Sequence, residues 1–316
     1  MMEKKLYLDI SMKKIRDFSK KCKKLGINLL QIKNIENLLK KNGGKLFIIG
    51  GNVRDLILEK KISSSPDLVS NLPIKIIVNA LENENIRISK VGLKFSSIVL
   101  KIDGLSMDLT SMRKDLNSDG RWANTKYTNE ILEDAGRRDF TINSIYCDTS
   151  GKIYDPFNGI KDLTSSKVKF IGSAEKRIKE DYLRILRFLR FSYCYSDDLD
   201  KEGANACRKL MGKIKKLSFE RIIQELEKTL VLDSVKKKKV IKNLSPFIQT
   251  AIGTEICSDR FNFLCNLEQA LEDVSFVRRL KFLIRKSKKS NIQILNKINS
   301  KIKKRILTKI ALPKSS

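Results

Sequence analysis

Two glycines and an arginine near residue 50 have the types and spacing of a phosphate-binding turn. The apolar run Leu46–Ile49 ends at Gly50-Gly51, and Arg54 follows within one turn of a helix that we expect over residues 53–59. Paired glycines let the backbone turn sharply and approach a ligand closely. The free N–H groups of a helix start favour an anion, and a guanidinium can fork onto phosphate oxygens. A tight strand-to-helix connection without a ligand would show the same pattern.

Two aspartates close to expected strands could hold metal ions. Asp67 follows Ser65 and a proline, and Asp108 lies in a strand expected over 106–110. Nucleotidyl transfer uses divalent ions held by carboxylates, and alternate residues of a strand share one face, so D-x-D is an efficient spacing. Here a serine stands two residues before Asp67. Alone, the two aspartates are weak evidence, and surface or helix-capping aspartates are the alternative.

A third segment brings two arginines next to each other. Arg137 and Arg138 lead directly into an apolar stretch, for which we expect a strand over 141–147. Guanidinium groups suit triphosphate or ribose contacts. An ordinary charged loop before a strand is the alternative.

A fourth segment repeats charges every three residues. Asp181, Arg184, Arg187 and Arg190 lie in an apolar stretch, and this spacing predicts a slowly drifting stripe along one helix. Burying such a stripe without anionic partners is costly. An Asp–Arg pair offers an acceptor and donors in a plane and can hydrogen-bond a base edge. An i,i+3 salt bridge on a solvated face is the alternative.

The order of strands and helices predicts an α/β head followed by helices. We expect strands over Leu46–Ile49, Ser97–Ile102, 106–110 and 141–147, with a tight hairpin turn at Asp103-Gly104. Residues 1–45 have a helical pattern, and beyond about residue 160 only helical periodicity remains, over 175–195, 219–232 and 275–285. The helix over 219–232 has the pattern of a structural element. A mixed sheet with flanking helices follows.

Composition narrows the possible functions. The formal net charge is +29, which indicates a polyanionic partner such as nucleic acid, although an A+T-rich genome also enriches lysine. The chain has no histidine, which excludes histidine bases and histidine metal sites. Its six cysteines have no C-x-x-C spacing, so we expect reduced thiols without a disulfide partner, in a reducing compartment such as the cytoplasm. No apolar run spans a membrane, and no signal peptide is evident.

The C-terminal segment is strongly basic. Residues 285–316 contain no acidic residue, and their apolar residues recur at helical spacing. The pattern predicts a basic amphipathic helix, which could contact RNA or pack its apolar stripe as a solvated terminal helix.

The four segments, in this order, resemble the class II tRNA nucleotidyltransferases (CCA-adding enzymes) and the related bacterial poly(A) polymerases. The motifs are G-G-x-V-R-D, R-R-D-F-T-I-N, E-D-x-x-R-x-x-R-x-x-R and S-x-E-R-I-x-x-E-L, from about residue 46 to 230. The resemblance implies a nucleotidyltransferase-type sheet in a head of residues 1–150, an all-α neck of 151–235 that selects the nucleotide, and a shortened helical body and tail of 236–316 that binds RNA.

The resemblance also implies a reaction and its residues. The chain would add C and A to the 3′ end of tRNA from CTP and ATP, with Mg²⁺ as cofactor. Asp67 and Asp108 would be the catalytic, metal-binding carboxylates. The residues expected to bind the nucleotide are Gly50, Gly51, Arg54, Arg138, Asp181, Arg184, Arg187 and Arg190, with Asp181 and Arg184 on the base.

One departure from the family pattern leaves more than one interpretation of the function. With a single inserted residue after the glycine turn, the family's first metal-binding aspartate falls on Ser65, and a serine hydroxyl is a poor ligand for a hard cation. We favour an active enzyme, because the other motif residues remain. A catalytically weakened RNA- and nucleotide-binding homologue, or a poly(A) polymerase, is the alternative.

Overall fold

The computed structural model describes residues 14–60, 66–82, 84, 86–119, 122–230, 246–247, 249–251 and 279. The chain divides into two compact units, Met1–Glu180 and Asp181–Ser316. Ser65 and the expected helix within 285–316 lie outside the described residues, as do nearly all residues of the expected helix over 275–285. The division into head, neck and body stays a prediction.

The first unit is built on a mixed sheet. Its described strands are β1 (Leu46–Ile49), β2 (Asp67–Ser70), β3 (Arg87–Ser89), β4 (Ser97–Ile102), β5 (Leu105–Ser111), β6 (Arg113–Asp119), β7 (Trp122–Tyr127), β8 (Tyr146–Asp148) and β9 (Ile153–Tyr154). Seven of them form one sheet in the order β3-β4-β5-β2-β1-β8-β9, and β6 pairs with β7 in a separate ribbon. Only β2 and β5 run parallel among these pairs.

Helices flank the sheet and make up the described part of the second unit. The first unit contains α1 (Phe18–Leu25), α2 (Leu29–Lys40), α3 (Gly51–Ile57), α4 (Ile74–Glu82), α5 (Ile131–Gly136), α6 (Gly159–Thr164) and α7 (Ala174–Glu180). The second contains α8 (Leu183–Tyr195), α9 (Lys201–Leu210) and α10 (Phe219–Leu230). The expected α/β head followed by helices is confirmed. None of the described helices is long and apolar enough to cross a membrane.

Strand β1 separates two hydrophobic clusters. Alternate residues of a strand point to opposite faces, and all four residues of β1 are buried. Leu46 and Ile48 belong to the larger core, which includes the buried residues of α2, α3 and α4. Phe47 and Ile49 belong to a smaller cluster on the opposite face, together with Val69. That second face is only partly covered by apolar side chains.

The hairpin expected around Asp103-Gly104 is present. Strands β4 and β5 pair antiparallel up to Ile102 opposite Leu105. Asp103 and Gly104 both have positive φ angles, 47° and 77°. Such a turn matches the right-handed twist of the two strands.

The strand expected over 141–147 is wrong for its first half. Residues Thr141–Asn143 form a 3₁₀ turn, and only Tyr146–Asp148 joins the sheet. Local hydrogen bonds favour the turn: the Ser144 hydroxyl donates to the Thr141 carbonyl over 2.8 Å. Such short-range side-chain bonds offer the backbone an alternative to the ladder.

The helix expected over 175–195 is interrupted. Helix α7 ends at Glu180 and α8 begins at Leu183, so Asp181 precedes the helix that carries the arginines. The Asp181 carboxylate accepts the Leu183 N–H over 3.1 Å. Asp181 is therefore not a member of the stripe, whereas Arg184, Arg187 and Arg190 all lie on α8.

Gly50 should tolerate no side chain. Its φ and ψ angles are 63° and −124°, a conformation that L-residues rarely adopt. We expect Gly50→Ala to lower the free energy of unfolding by about 1–3 kcal/mol, measured by urea denaturation. Gly136→Ala is the control, because a Cβ there meets only Phe157 at 3.9 Å. Equal stability of the two variants would contradict the conformational argument.

Candidate functional site

The two aspartates lie side by side in the sheet. Asp67 begins β2, Asp108 lies in β5, and the two are direct partners in the parallel register. Neighbouring strands are about 4.8 Å apart, and partners in register point to the same face. Both residues are exposed. Asp67 points to the same face of the sheet as Val69, and Leu68 between them points to the opposite face. The structure thus brings the two carboxylates together on one open face of the sheet, the face to which Val69 points.

The carboxylates repel each other. The pKa of Asp67 is raised, because the surrounding protein removes water from it and because Asp108 is a like charge, while Arg138 acts in the opposite direction. Two neighbouring carboxylates that resist joint ionisation are relieved by a cation. Oxygen ligands of this kind suit a hard ion such as Mg²⁺.

The described residues supply two carboxylates to this site, not three. No group of three or more histidine, cysteine, aspartate or glutamate residues that could hold a metal occurs in this part of the chain. Ser65, the position at which we expect the family's first metal-binding aspartate, is not among the described residues. The present donor set fits a divalent cation, but with fewer anionic ligands than a triad would provide.

The glycine turn is tied to the carboxylates. Gly50 donates its N–H to the Ile145 carbonyl over 3.4 Å, and its own carbonyl accepts the Arg54 N–H over 3.2 Å. Asn52, in the first turn of α3, accepts the Asp67 N–H on its side-chain Oδ1 over 3.1 Å. This bond connects the turn directly to the start of β2.

Arg54 is held in a buried polar chain. Its residue exposure is 6%, and its Nη1 donates to Asn143 Oδ1 over 2.5 Å. Asn143 Nδ2 in turn donates to Asp139 Oδ1 over 3.0 Å. Gly51 lies against the same guanidinium, because a Cβ there would be 3.4 Å from Arg54 Nη2. The bond to Asn143 therefore fixes the orientation of the Arg54 guanidinium.

Arg138 is held by a buried carboxylate that the sequence did not single out. Asp134 is fully buried, and its Oδ2 accepts Arg138 Nη2 over 2.9 Å and the Tyr146 hydroxyl over 2.6 Å. Its Oδ1 accepts the Arg113 N–H over 3.1 Å and Arg137 Nη2 over 2.8 Å. Arg138 also donates from Nε to the Tyr146 oxygen over 3.0 Å. Asp134 thus fixes both members of the arginine pair.

Charge pairing overrides burial at Asp134. Burial alone would raise the pKa of this carboxyl, but Arg138 and Arg137 outweigh it and hold the pKa well below its usual range. Burial likewise disfavours the charge on Arg138, but Tyr146 and Asp134 more than compensate and raise its pKa. The ion pair is therefore present at all moderately acidic and neutral pH values.

In the second unit, α10 provides partners for two expected site residues. Arg221 Nη2 donates to Asp181 Oδ2 over 2.7 Å. Arg190 pairs through Nε with the buried carboxylate of Glu225. The helix that the sequence marked as structural therefore also holds Asp181 and Arg190. Arg221 and Glu225 are one helical turn apart, a spacing that could have indicated a shared face.

The three arginines of α8 are half-buried. Arg190 and Arg187 both lie over the Phe191 ring, at 4.3 Å and 5.2 Å from its centroid. Arg184 is also half-buried, and its backbone N–H donates to the Asp181 carbonyl over 3.0 Å. The expected anionic partner of the stripe exists for Arg190, since Glu225 supplies it.

Known proteins are similar to this chain in sequence and in fold. Residues 46–169 match the family described as "Poly A polymerase head domain". The mouse protein "CCA tRNA nucleotidyltransferase 1, mitochondrial" is 36% identical over 208 residues, 65% of this chain and 48% of the relative. The "CCA-adding enzyme" of Staphylococcus aureus strain MRSA252 is 30% identical over 269 residues, 84% of this chain and 66% of the relative.

A solved structure agrees. The Bacillus stearothermophilus CCA-adding enzyme in complex with CTP has a TM-score of 0.62 and 24% identity, and the match covers 76% of this chain and 57% of that one. At this identity the likeness establishes the fold, which this chain shares with that enzyme. The chain belongs to the family of the class II CCA-adding enzymes and poly(A) polymerases, and it spans about half the length of the mouse relative.

Removing the Asp134 charge should destabilise the protein strongly. Asp134→Asn leaves the half-buried Arg138 beside a neutral group at a fully buried position, which we expect to cost about 3–5 kcal/mol of unfolding free energy at pH 7. The pKa of Asp134 is lower in the folded than in the unfolded protein. The difference in unfolding free energy between wild type and Asp134→Asn should therefore be full above the unfolded pKa of about 4 and decline as the pH falls below it. Urea denaturation between pH 7 and pH 3 measures both effects. Glu130→Gln, at an exposed residue just before α5, should change little, and an equal loss there would refute the role of Asp134.

Removing the Asp67 charge should instead stabilise the metal-free protein. A raised carboxyl pKa means that ionisation opposes folding at neutral pH, and this penalty vanishes below the unfolded pKa. We expect Asp67→Asn to raise Tm by about 1–3 °C at pH 7 and to have no effect near pH 3. Glu84→Gln, at an exposed residue, is the control and should not raise Tm. A lower Tm for Asp67→Asn in chelator at pH 7 would disprove that the ionised Asp67 carboxylate opposes folding.

Proposed function

We propose that this chain is a tRNA nucleotidyltransferase that adds C, A or both to the 3′ end of tRNA from CTP and ATP. The adjacent placement of Asp67 and Asp108 on one open face carries the proposal. The names of the mouse and Staphylococcus aureus relatives support the same reaction. The net charge of +29 favours a polyanionic partner.

Asp67 and Asp108 would hold Mg²⁺. When bound, the ion lowers the pKa of the attacking 3′ hydroxyl and neutralises charge on the leaving pyrophosphate. Gly50 and Gly51 would bring the backbone close to the nucleotide. Arg54 would orient its phosphates, because Asn143 fixes the guanidinium in place.

Arg138 would add positive charge beside the metal carboxylates. It acts on Asp67 through space, and Asp134 and Tyr146 prevent its guanidinium from collapsing onto that carboxylate. Its proposed role is contact with the nucleotide at a fixed position.

The second unit would select the nucleotide. Asp181 and Arg184 would hydrogen-bond the base edge, supported by Arg187 and Arg190. The Arg221 ion pair orients Asp181, and the Glu225 ion pair fixes Arg190. In this proposal residues 1–150 catalyse transfer, 151–235 select the nucleotide and 236–316 bind RNA.

A reducing compartment, the cytoplasm, would suit the described cysteines. Cys22, Cys147 and Cys207 are free thiols in the structure. Cys257 and Cys265 lie outside the described residues.

A specific observation favours a second candidate. The described residues supply only two carboxylates, and with a single inserted residue after the glycine turn the family's first metal-binding aspartate would fall on Ser65. The second candidate is therefore a weakened homologue that binds RNA and nucleotide without turnover. Poly(A) addition is a variant of the first candidate, since the matched head domain carries that name.

A transfer assay separates these candidates. Purified protein is incubated with tRNA lacking its 3′ CCA end, labelled CTP or ATP, and a series of Mg²⁺ concentrations. We expect wild type to add CCA and to require a high Mg²⁺ concentration. Ser65→Asp should need less Mg²⁺ and turn over faster. Asp67→Ala should give no product, because metal stabilisation of the transition state contributes several kcal/mol. Asp17→Ala serves as the control, since that residue lies in the N-terminal region before α1.

Wild type and Ser65→Asp that both bind tRNA and nucleotide but give no product would establish the binding-protein candidate. Extension of arbitrary RNA with A alone would establish poly(A) addition. Full activity at low Mg²⁺, unchanged in Ser65→Asp, would mean that another carboxylate completes the site.

Arg184 should determine base selectivity. If it reads the base edge, Arg184→Ala should relax the preference for CTP and ATP over UTP and GTP by roughly 1–3 kcal/mol, or about 5- to 150-fold. Competition assays with paired nucleotides measure this ratio. Arg208→Ala, on α9, is the matched control. Unchanged selectivity in a folded Arg184 variant would leave only a structural role for this arginine.

A further inference from the structure

Asn52 lies at the point where the sheet loses its regular hydrogen bonding. Strands β1 and β2 pair antiparallel from Leu46 opposite Ser70 to Ile48 opposite Leu68, and the paired register stops there. The next residue of β1, Ile49, leads into the sharp turn at Gly50. Asp67 therefore begins β2 just beyond the last paired residues of its neighbour.

The Asn52 side chain continues the ladder at that point. Its Oδ1 accepts the Asp67 N–H over 3.1 Å, as a backbone carbonyl of β1 would. Pro66, the preceding residue, has no N–H to donate. The main chain at Asp67 is thus fixed from this side by a side chain that lies on the glycine turn.

The oxygen and the nitrogen of the Asn52 side-chain amide differ in their hydrogen bonding. The residue is 2% exposed, and its Nδ2 has no hydrogen-bond acceptor among the described residues. A buried donor without a partner is unfavourable, so the bond from Asp67 is the specific interaction that this amide makes. Hence the acceptor oxygen, and not the amide as a whole, is the functional group here.

We infer that Asn52 is a positioning residue for metal binding: through its Oδ1 it fixes Asp67 beside Asp108 and at a set distance from the glycine turn. The inference rests on the proposed function, because it concerns the same carboxylates. Groups that orient a metal ligand without touching the ion strongly affect affinity. An unanchored Asp67 would move away from the like charge of Asp108, and the ion would then have to bring the two carboxylates back together.

The same sheet offers a matched control. Asn71 Oδ1 accepts the Lys45 N–H over 2.5 Å, just beyond the Leu46–Ser70 pair at the opposite end of β1 and β2. Asn71 thus closes the same ladder far from the carboxylates. Asn71→Ala removes a comparable bond without touching Asp67.

The test is Mg²⁺ binding by the full chain without nucleotide or RNA. The rise in Tm with Mg²⁺ gives the half-saturating concentration, because a ligand of the folded state stabilises it. We expect Asn52→Ala to raise this concentration about tenfold and Asn71→Ala to leave it unchanged, although both lower Tm without metal. Asn52→Asp keeps the acceptor oxygen and adds a negative charge, so it should bind Mg²⁺ at least as tightly as wild type.

The outcomes separate the inference from the proposed function. A wild-type protein whose Tm does not respond to Mg²⁺ refutes the metal site and Asn52's role with it. A responsive wild type with equal affinities in Asn52→Ala and Asn71→Ala overturns the inference alone. If Asn52→Ala does not fold, Asn52→Ser decides, because it is neutral and its hydroxyl is one bond shorter than Oδ1: a Mg²⁺ affinity about tenfold weaker supports the acceptor role, and wild-type affinity contradicts it.

Discussion

The parallel pairing of β2 with β5 is the constraint on which the rest of the site depends. It places Asp67 directly opposite Asp108, where the loss of water and the like charge of Asp108 both disfavour the ionised Asp67 carboxylate. The surrounding sheet maintains it: Leu68 and Leu109 are buried in the core on the opposite face, so neither strand can shift register without exposing apolar side chains. Core packing therefore enforces a contact between like charges that a divalent cation would relieve.

Around these carboxylates the cationic groups are held by partners of their own. Arg54 is bonded to Asn143, and Arg138 to Asp134 and Tyr146. Without such partners Arg138, which acts on Asp67 through space, could pair with that carboxylate and occupy the place of a cation. The second unit repeats the principle, since Arg221 and Glu225 restrain Asp181 and Arg190. Preorganised charge of this kind avoids reorganisation when a phosphate binds.

The sequence predicted the features that depend on local chain geometry. The glycine turn, the hairpin at Asp103-Gly104 and the helix from Phe219 follow from turn residues and periodicity. It did not predict the Asp67–Asp108 register, because strand pairing is non-local, nor Asp134, whose partners come from several elements. The failure over 141–147 has a different cause. The apolar β-branched residues of this segment favoured a strand, but Asn143 and Ser144 form local hydrogen bonds in a turn that precedes the strand.

The most direct test of the account is a Mn²⁺ titration followed by electron paramagnetic resonance, with wild type and Asp108→Asn. Mn²⁺ prefers the same oxygen ligands as Mg²⁺, and the free ion is quantified without any need for turnover. The account predicts saturable binding to wild type in the presence of CTP, with affinity at least about tenfold weaker in Asp108→Asn. Equal Mn²⁺ affinity in the two proteins would show that the paired carboxylates are not the metal site.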